Sequence, residues 1–139
     1  MTAILGCDEI KDVGVLFSVQ KRLGARGIRA FFGNGDFEKV LTVEGVTAEK
    51  VKETSFVVAD KNGVCSKEFK EELLKIFDKA SVCDENLLMG DIIIATKGAQ
   101  CGALAIPVSN KDDNFEKILK KDFDSAVEVL KKVITGREA

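Results

Sequence analysis

The sequence predicts one α/β domain over residues 1–139: a three-layer α/β/α sandwich whose mostly parallel sheet has about five strands, Rossmann-like or flavodoxin-like. Three observations predict it. A length of 139 residues is typical of a single domain. A composition of 45% hydrophobic and 32% charged residues can fill a core and excludes wholesale disorder. Short apolar runs also alternate with amphipathic segments, which is the pattern of strands joined by helices.

The first third of the chain predicts two strand–helix steps. Residues 3–5 form a short apolar strand, and residues 11–26 have apolar side chains at helical spacing before a stop at Gly27. Residues 28–32 are rich in β-formers and end in a Gly-Asn-Gly-Asp turn, which predicts the second strand. A short helix or turn follows over residues 37–41.

The middle of the chain predicts a third strand and the best-defined helix. Thr47 can cap a short helix over residues 48–53, and residues 55–59 form an apolar strand closed by Asp-Lys-Asn-Gly. Ser66 is a good N-cap for a helix with a core-facing stripe made of Phe69, Leu73, Ile76, Phe77 and Ala80.

The last third predicts two strands and a long helix. Residues 91–96 and 104–108 are apolar runs, and the final helix carries one apolar face formed by Phe115, Ile118, Leu119, Phe123, Ala126, Val127, Leu130, Val133 and Ile134. The connection over residues 97–103 is short for a crossover, so it predicts a cramped helical turn or, alternatively, an antiparallel last strand. Pro107 suits an edge strand or a strand end. An unpaired apolar edge at residues 104–108 favours a homo-oligomer, with a dimer expected.

Composition excludes several function classes. The chain has no His, so Ser-His-Asp catalysis, Cys-His catalysis and His-ligated metals are excluded. A net charge of −2 and the lack of a basic tail argue against nucleic-acid binding. No signal peptide or membrane span is evident, so we expect a cytoplasmic protein with reduced cysteines.

The candidate site is the set of loops expected at the carboxyl ends of the strands, where α/β proteins bind ligands. Glycines there allow close backbone approach, and N–H groups could hold a small anionic or nucleotide-like ligand. The sequence therefore predicts a binding or regulatory module for a small molecule or protein partner, with no cofactor identified. The candidate ligand-binding residues are Gly6, Cys7, Gly33, Asn34, Gly35, Asn62, Gly63, Cys65, Gly98, Cys101 and Gly102.

The cysteines leave two alternatives open. A thiolate with a depressed pKa could act in a sulfur or redox relay. Alternatively, Cys7, Cys65, Cys83 and Cys101 together could ligate an iron–sulfur cluster, although their spacing matches no standard motif. The acidic residues near position 8 are more typical of a helix first turn than of a metal site, so no metal ligands are assigned.

Two stretches resemble a known family. Residues 1–41, with Phe31-Phe32-Gly33-Asn34-Gly35-Asp36, are similar to the opening of DsrE-like sulfur-relay proteins. In residues 69–88, a helix leads into Ala80-Ser81-Val82-Cys83, which resembles that family's strand ending in a persulfide-carrying cysteine. The resemblance covers under half of the chain. It implies an α/β sandwich, Cys83 as the catalytic sulfur carrier, and a homo-oligomer.

Overall fold

The computed structural model describes residues 12–18 and 23–136. The predicted strand at residues 3–5, and the site residues Gly6 and Cys7, lie outside this range. The helices and strands of the described part are α1 Arg26–Phe32, β1 Lys39–Thr47, β2 Ser55–Ala59, α2 Lys67–Ile76, β3 Ala80–Val82, α3 Met89–Ala95, β4 Gln100–Val108 and α4 Lys120–Thr135.

The sheet has the strand order β1-β4-β2-β3 in the part of the chain that the structure describes. β1 and β4 are parallel over nine residue pairs, from Lys39 with Gln100 to Thr47 with Val108. β2 runs antiparallel to β4, with Ser55 opposite Ala105, and β3 runs parallel to β2. The α/β class is thus confirmed. The predicted mostly parallel sheet is wrong, because the sheet is mixed, and a fifth strand is not seen among the described residues.

The reversal at β2 follows from the short connection before it. Only residues 48–54 separate β1 from β2, which is too few for the crossover that a parallel strand requires. The predicted helix at residues 48–53 is instead a series of turns, in which Lys50 N donates to Thr47 O.

Three predictions near the start of the described chain are wrong. Residues 28–32 are helical in α1, because Ile28 and Phe32, four residues apart, are both buried on one helix face. The predicted helix or turn at residues 37–41 instead runs into β1, which gains a full ladder with β4. Of the helix predicted over residues 11–26, residues 13–18 form no regular element, since β-branched and aromatic side chains around Gly14 disfavour a helix there, and residues 11 and 19–22 lie outside the described range.

The region around β4 corrects three more predictions. The apolar run at residues 91–96 is mostly the helix α3, not a strand. The connection over residues 97–103 is a turn only to Gly98, and β4 begins at Gln100. Residues 104–108 are not an open edge, because β4 lies between β1 and β2. Pro107 does lie near the strand end, beyond the last β2 pair at Ala105.

Other local predictions are confirmed. β2 has the predicted bounds, and Ser66 caps α2 by accepting a hydrogen bond from Phe69 N at 3.2 Å. α2 buries Phe69 and Leu73, as predicted, but it ends at Ile76, and Ala80, predicted in the same stripe, is exposed at the start of β3. The long last helix is α4, which begins at Lys120. Four residues of its predicted apolar face are exposed rather than buried: Phe115, Ile118 and Leu119, which precede the helix, and Phe123, which lies in its first turn.

The core lies between the sheet and the helices. α1 packs against α3 and α2 packs against α4, while α2, α3 and α4 contact β4. The largest fully buried side chains include Phe56, Leu104, Leu87, Met89 and Ile92. None of the described helices has the length and apolarity needed to span a bilayer.

Candidate functional site

Three of the predicted glycine loops lie at one end of the sheet. β1 and β4 begin at this end, and β2, which is antiparallel to β4, finishes there. The segments around Gly35, Gly63 and Gly98 therefore meet the sheet at the same end. Only the loop of Gly63 follows a strand, however. The other two loops follow the C-termini of α1 and α3, whose last-turn carbonyls accept hydrogen bonds from backbone N–H groups of these loops.

Two of these loops line a shallow depression. It has a volume of about 360 Å³ and is formed by Phe32, Gly33, Asn34, Gly35, Asp36, Ala95, Thr96 and Lys97. Gly98 is next to it in the chain. Its lining carries one acidic and one basic side chain, Asp36 and Lys97. Three of the lining residues, Gly33, Asn34 and Gly35, are among the predicted site residues. The structure places the ammonium group of Lys97 beside them.

The third loop is organised by Asp60 rather than by a ligand. Its Oδ1 accepts hydrogen bonds from Asn62 N at 2.9 Å and from Gly63 N at 2.7 Å. Its Oδ2 accepts from Leu87 N at 2.9 Å and from Met89 N at 3.2 Å. The N–H groups of Asn62 and Gly63, predicted to face a ligand, are therefore already paired with a carboxylate of the protein itself.

Asp60 also caps a helix that lacks a local cap. Leu88, the N-cap residue of α3, offers no side-chain hydrogen bond and has a left-handed φ of 70°. Met89 begins the helix, and its N–H is one of the groups that a helix leaves unpaired. A carboxylate there also interacts favourably with the helix dipole. Asp60 therefore joins the end of β2 to the start of α3.

Glycine at positions 63 and 90 permits this close approach. A Cβ on Gly90 would lie 2.5 Å from Asn62 O, and a Cβ on Gly63 would lie 2.8 Å from Gly90 N. Both distances are shorter than real contacts allow. Gly63 is thus needed for packing of its loop against α3.

Gly102, Cys65 and Cys101 lie in the interior rather than in an open loop. A Cβ on Gly102 would lie 2.9 Å from Leu73 Cδ1 and 3.7 Å from Cys65 Sγ, so this glycine makes room for α2 on β4. Cys65, Cys83 and Cys101 are all buried. Burial raises the pKa of the Cys65 thiol, and the nearby Lys70 only partly offsets this. Burial, with Asp60 and Cys65 nearby, raises the pKa of Cys101 to about 12.

These thiols are expected to react slowly. Because both pKa values are raised, Cys65 and Cys101 remain protonated near neutral pH, and the thiol is a poor nucleophile. Iodoacetamide should label them far more slowly in the native protein than in urea, with peptide mass spectrometry reporting each position. Rapid native labelling of either residue near neutral pH would contradict this expectation.

Cys83 follows β3 directly, as the sulfur-relay resemblance requires. It is only 3% exposed, its N–H donates to Ala59 O at 3.0 Å, and its Sγ lies 3.5 Å from Glu85 N. The structure thus places this thiol inside the protein. Among the described residues, no three side chains of His, Cys, Asp or Glu are grouped so that they could hold a metal ion.

The segment after Cys83 extends from β3, at one edge of the sheet, to β1 at the opposite edge. Thr42 Oγ1 on β1 donates to Leu87 O at 3.2 Å, and Thr47 N donates to Glu85 Oε1 at 3.3 Å. Burial opposes ionisation of Glu85, but its ion pair with Lys111 and the bonds from Thr47 outweigh this and lower its pKa. This segment therefore fixes the end of β1 near Thr47.

The outer edge of β1 is a second candidate site, which sequence analysis missed. At the two ends of its ladder with β4, Glu38 O accepts from Gln100 N and Ala48 N donates to Val108 O. Backbone groups alternate along a strand, so the even-numbered residues of β1 face β4 and the odd-numbered ones face outward. Thr47 N is held by Glu85, but Leu41, Val43 and Gly45 pair with no strand in the described part of the chain.

Side chains on one face of this edge are apolar near its centre. Val43 is 45% exposed, and Leu41 is partly buried against the core. The opposite edge strand, β3, has only three residues. The sequence signal for β1 was present in the β-branched residues of Val-Glu-Gly-Val-Thr, but its position at the sheet edge depends on long-range pairing.

Comparisons with known proteins identify a shared fold. No protein-family model and no curated protein matches the chain. Among solved structures, it is similar to a TET aminopeptidase from the marine sediment archaeon Thaumarchaeota archaeon SCGC AB-539-E09, with a TM-score of 0.70 and 16% identity. This match covers 84% of this chain and 38% of the other.

Two further structures give the same result. The TET1 peptidase of Pyrococcus horikoshii, which can assemble into a tetrahedron or a large octahedral shell, matches with a TM-score of 0.69 and 14% identity over 85% of this chain and 39% of its own. Aminopeptidase APDkam598 from the archaeon Desulfurococcus kamchatkensis matches with a TM-score of 0.65 and 15% identity, over 87% and 40%. At these identities the likeness concerns the fold, and this chain spans about two fifths of the length of each.

Proposed function

We propose that this chain is a non-catalytic binding module whose main partner is another copy of itself. The observation that carries the proposal is the outer edge of β1, where Leu41, Val43 and Gly45 pair with no strand among the residues that the structure describes. An edge strand of nine residues is a ready template for a further strand.

The comparisons support self-association without identifying its geometry. One structure with the same fold is a dodecamer, and another assembles into closed shells. The non-catalytic part rests on residues of this chain: it has no His, and its described cysteines are buried. Asp60, the most highly coordinated carboxylate described, is bound to backbone N–H groups. We also retain the three-layer arrangement, supported by the helix pairs α1–α3 and α2–α4.

Light scattering after size-exclusion chromatography tests the proposal. The full chain should elute as a species of at least twice its 15.1 kDa mass at micromolar concentration, and dilution should dissociate it. A single 15.1 kDa species from micromolar to near-millimolar concentration would refute self-association.

The depression beside Gly33, Asn34 and Gly35 supports a second candidate function, small-molecule binding. Its volume of about 360 Å³ lies within the range of ligand sites. Asp36 and Lys97 offer opposite charges, and the C-terminal ends of α1 and α3 carry the negative end of the helix dipole, an arrangement that suits a zwitterion with a free amino group. The peptidase fold is consistent with such a ligand.

An NMR titration with free leucine tests this candidate. We expect shifts at the amides of residues 33–36 and 95–97, and weaker shifts in the Lys97→Gln variant, because it loses the carboxylate's counterion. Shifts that are absent, or spread evenly over the molecule, would exclude this site for amino acids. The sulfur relay at Cys83 and the four-cysteine cluster remain predictions that no contact of the described thiols supports.

A further inference from the structure

We infer that the outer edge of β1 pairs with β1 of a second copy, antiparallel across a twofold axis at Val43; this rests on the proposed self-association and names its surface. In that register Val43 faces Val43 of the other copy, and Leu41 faces Gly45. These are the outward-facing residues of the edge. Antiparallel residues of this kind exchange both backbone hydrogen bonds.

Side chains on one face of the joined strands would form an apolar row. Val43 of each copy contacts the other, with Leu41 on either side. Gly45, which lies opposite Leu41, has no side chain, and Val108 Cγ2 lies 2.8 Å from the position that a Cβ would take, so Leu41 of the other copy meets Val108 there. Cross-strand apolar pairs of this kind stabilise sheets, and the exposed part of Val43 becomes buried.

The side chains on the other face of the strand also allow two copies of β1 to pair in this register. Val40 lies opposite Val46, which its own copy already buries, and Thr42 lies opposite Glu44, which gives a polar pair. Lys39 faces Thr47, and no like charges oppose one another. A register centred on Glu44 would instead place two carboxylates directly opposite, and one centred on Thr42 would place Val40 against Glu44 and use fewer residues. Residues 41–45 are thus self-complementary about Val43, while Thr47 N keeps its hydrogen bond to Glu85.

The proposed interface produces a closed dimer rather than an open chain of copies. A twofold axis uses the same surface on both copies, and β3, the other edge strand, has only three residues. The product is a dimer with a continuous eight-stranded sheet in the order β3-β2-β4-β1-β1-β4-β2-β3, which follows from the strand order of one copy. A short second edge disfavours open-ended growth into fibres.

Charge at Val43 tests this interface. Val43→Lys places two ammonium groups opposite each other at the axis, so the dimer should dissociate at least tenfold more readily by native mass spectrometry and light scattering. Val82→Lys is the matched control: Val82 is 69% exposed on the other edge strand, and its variant should associate like the original chain. Circular dichroism confirms that both variants fold.

A disulfide crosslink tests independently whether the two Val43 positions are adjacent, in case Val43→Lys fails to fold. In the proposed register, the Cα atoms of the two Val43 residues lie about 5.5 Å apart, within disulfide range. In a Cys7→Ser background, Val43→Cys treated with diamide should give a covalent dimer on a non-reducing gel, whereas Val82→Cys should not.

The outcomes separate the two proposals. A multimer that Val43→Lys dissociates, or that Val43→Cys crosslinks, supports the β1 interface. A multimer that resists Val43→Lys and does not crosslink through Val43→Cys overturns this interface but leaves self-association standing. A chain that is monomeric at every concentration overturns both.

Discussion

Replacing Asp60 by alanine is expected to lower the free energy of unfolding by about 3 kcal/mol, because four backbone N–H groups lose a charged acceptor. Water can reach part of this loop, so the loss is smaller than four full charged hydrogen bonds. Two structural connections weaken together, since the same carboxylate holds the turn after β2 and the start of α3. Urea denaturation followed by circular dichroism measures the change; with no Trp or Tyr, intrinsic fluorescence is of little use.

Two further variants make this test specific. Asp60→Asn keeps one carbonyl oxygen and the side-chain shape, so it should lose roughly half as much stability. Asp84→Ala removes an exposed carboxylate that pairs with Lys50, and its effect should be small. Equal stability of the original chain and Asp60→Ala would show that the Asp60 hydrogen bonds contribute nothing to folding.

Gly90→Ala is expected to destabilise the protein by about 2–3 kcal/mol, because the new Cβ overpacks the contact with the loop after β2. It would lie 2.5 Å from Asn62 O and 2.8 Å from Asn62 Cβ. Alanine favours a helix over glycine by up to about 1 kcal/mol, and this gain is smaller than the cost of displacing backbone. The loop must therefore move away from α3, which also lengthens the bonds to Asp60.

Gly14→Ala is the matched control, since a Cβ there meets no atom within 4 Å. Its stability should stay within about 0.5 kcal/mol of the original. Gly63→Ala strains the same contact from the other side, so the double variant with Gly90→Ala should lose less than the sum of the single losses. A Gly90→Ala protein that is more stable than the original would mean that the helix-propensity gain of alanine exceeds the cost of displacing the loop after β2.

The sequence predicts correctly those elements whose cap, turn or apolar pattern lies within the element itself. β2 and α2 are examples: an apolar run closed by a turn defines the first, and Ser66 with the Phe69 and Leu73 stripe defines the second. The failures depend on distant partners. α1 has β-forming residues, yet Ile28 and Phe32 pack as a helix because α3 lies against them. β1 was missed because its partner, β4, is some sixty residues away.

In the candidate site too, contacts between neighbours in the sequence are predictable and contacts between distant residues are not. The Asp-Lys-Asn-Gly sequence predicted a turn, and Asp60 does accept from the two residues that follow it. Nothing local indicated that its second oxygen would reach Leu87 and Met89. The sequence predicts that the glycines form ligand-binding loops, but Gly63 and Gly102 are needed for backbone and side-chain packing. The open edge of β1 emerges only from the strand order.

The mass of the full chain in solution tests the central claim most directly. Light scattering from micromolar to near-millimolar concentration should give at least twice the 15.1 kDa mass of one chain, and Val43→Lys should lower it while Val82→Lys does not. A mass of 15.1 kDa at every concentration would contradict the account, because the outer edge of β1 would then have no partner copy in solution.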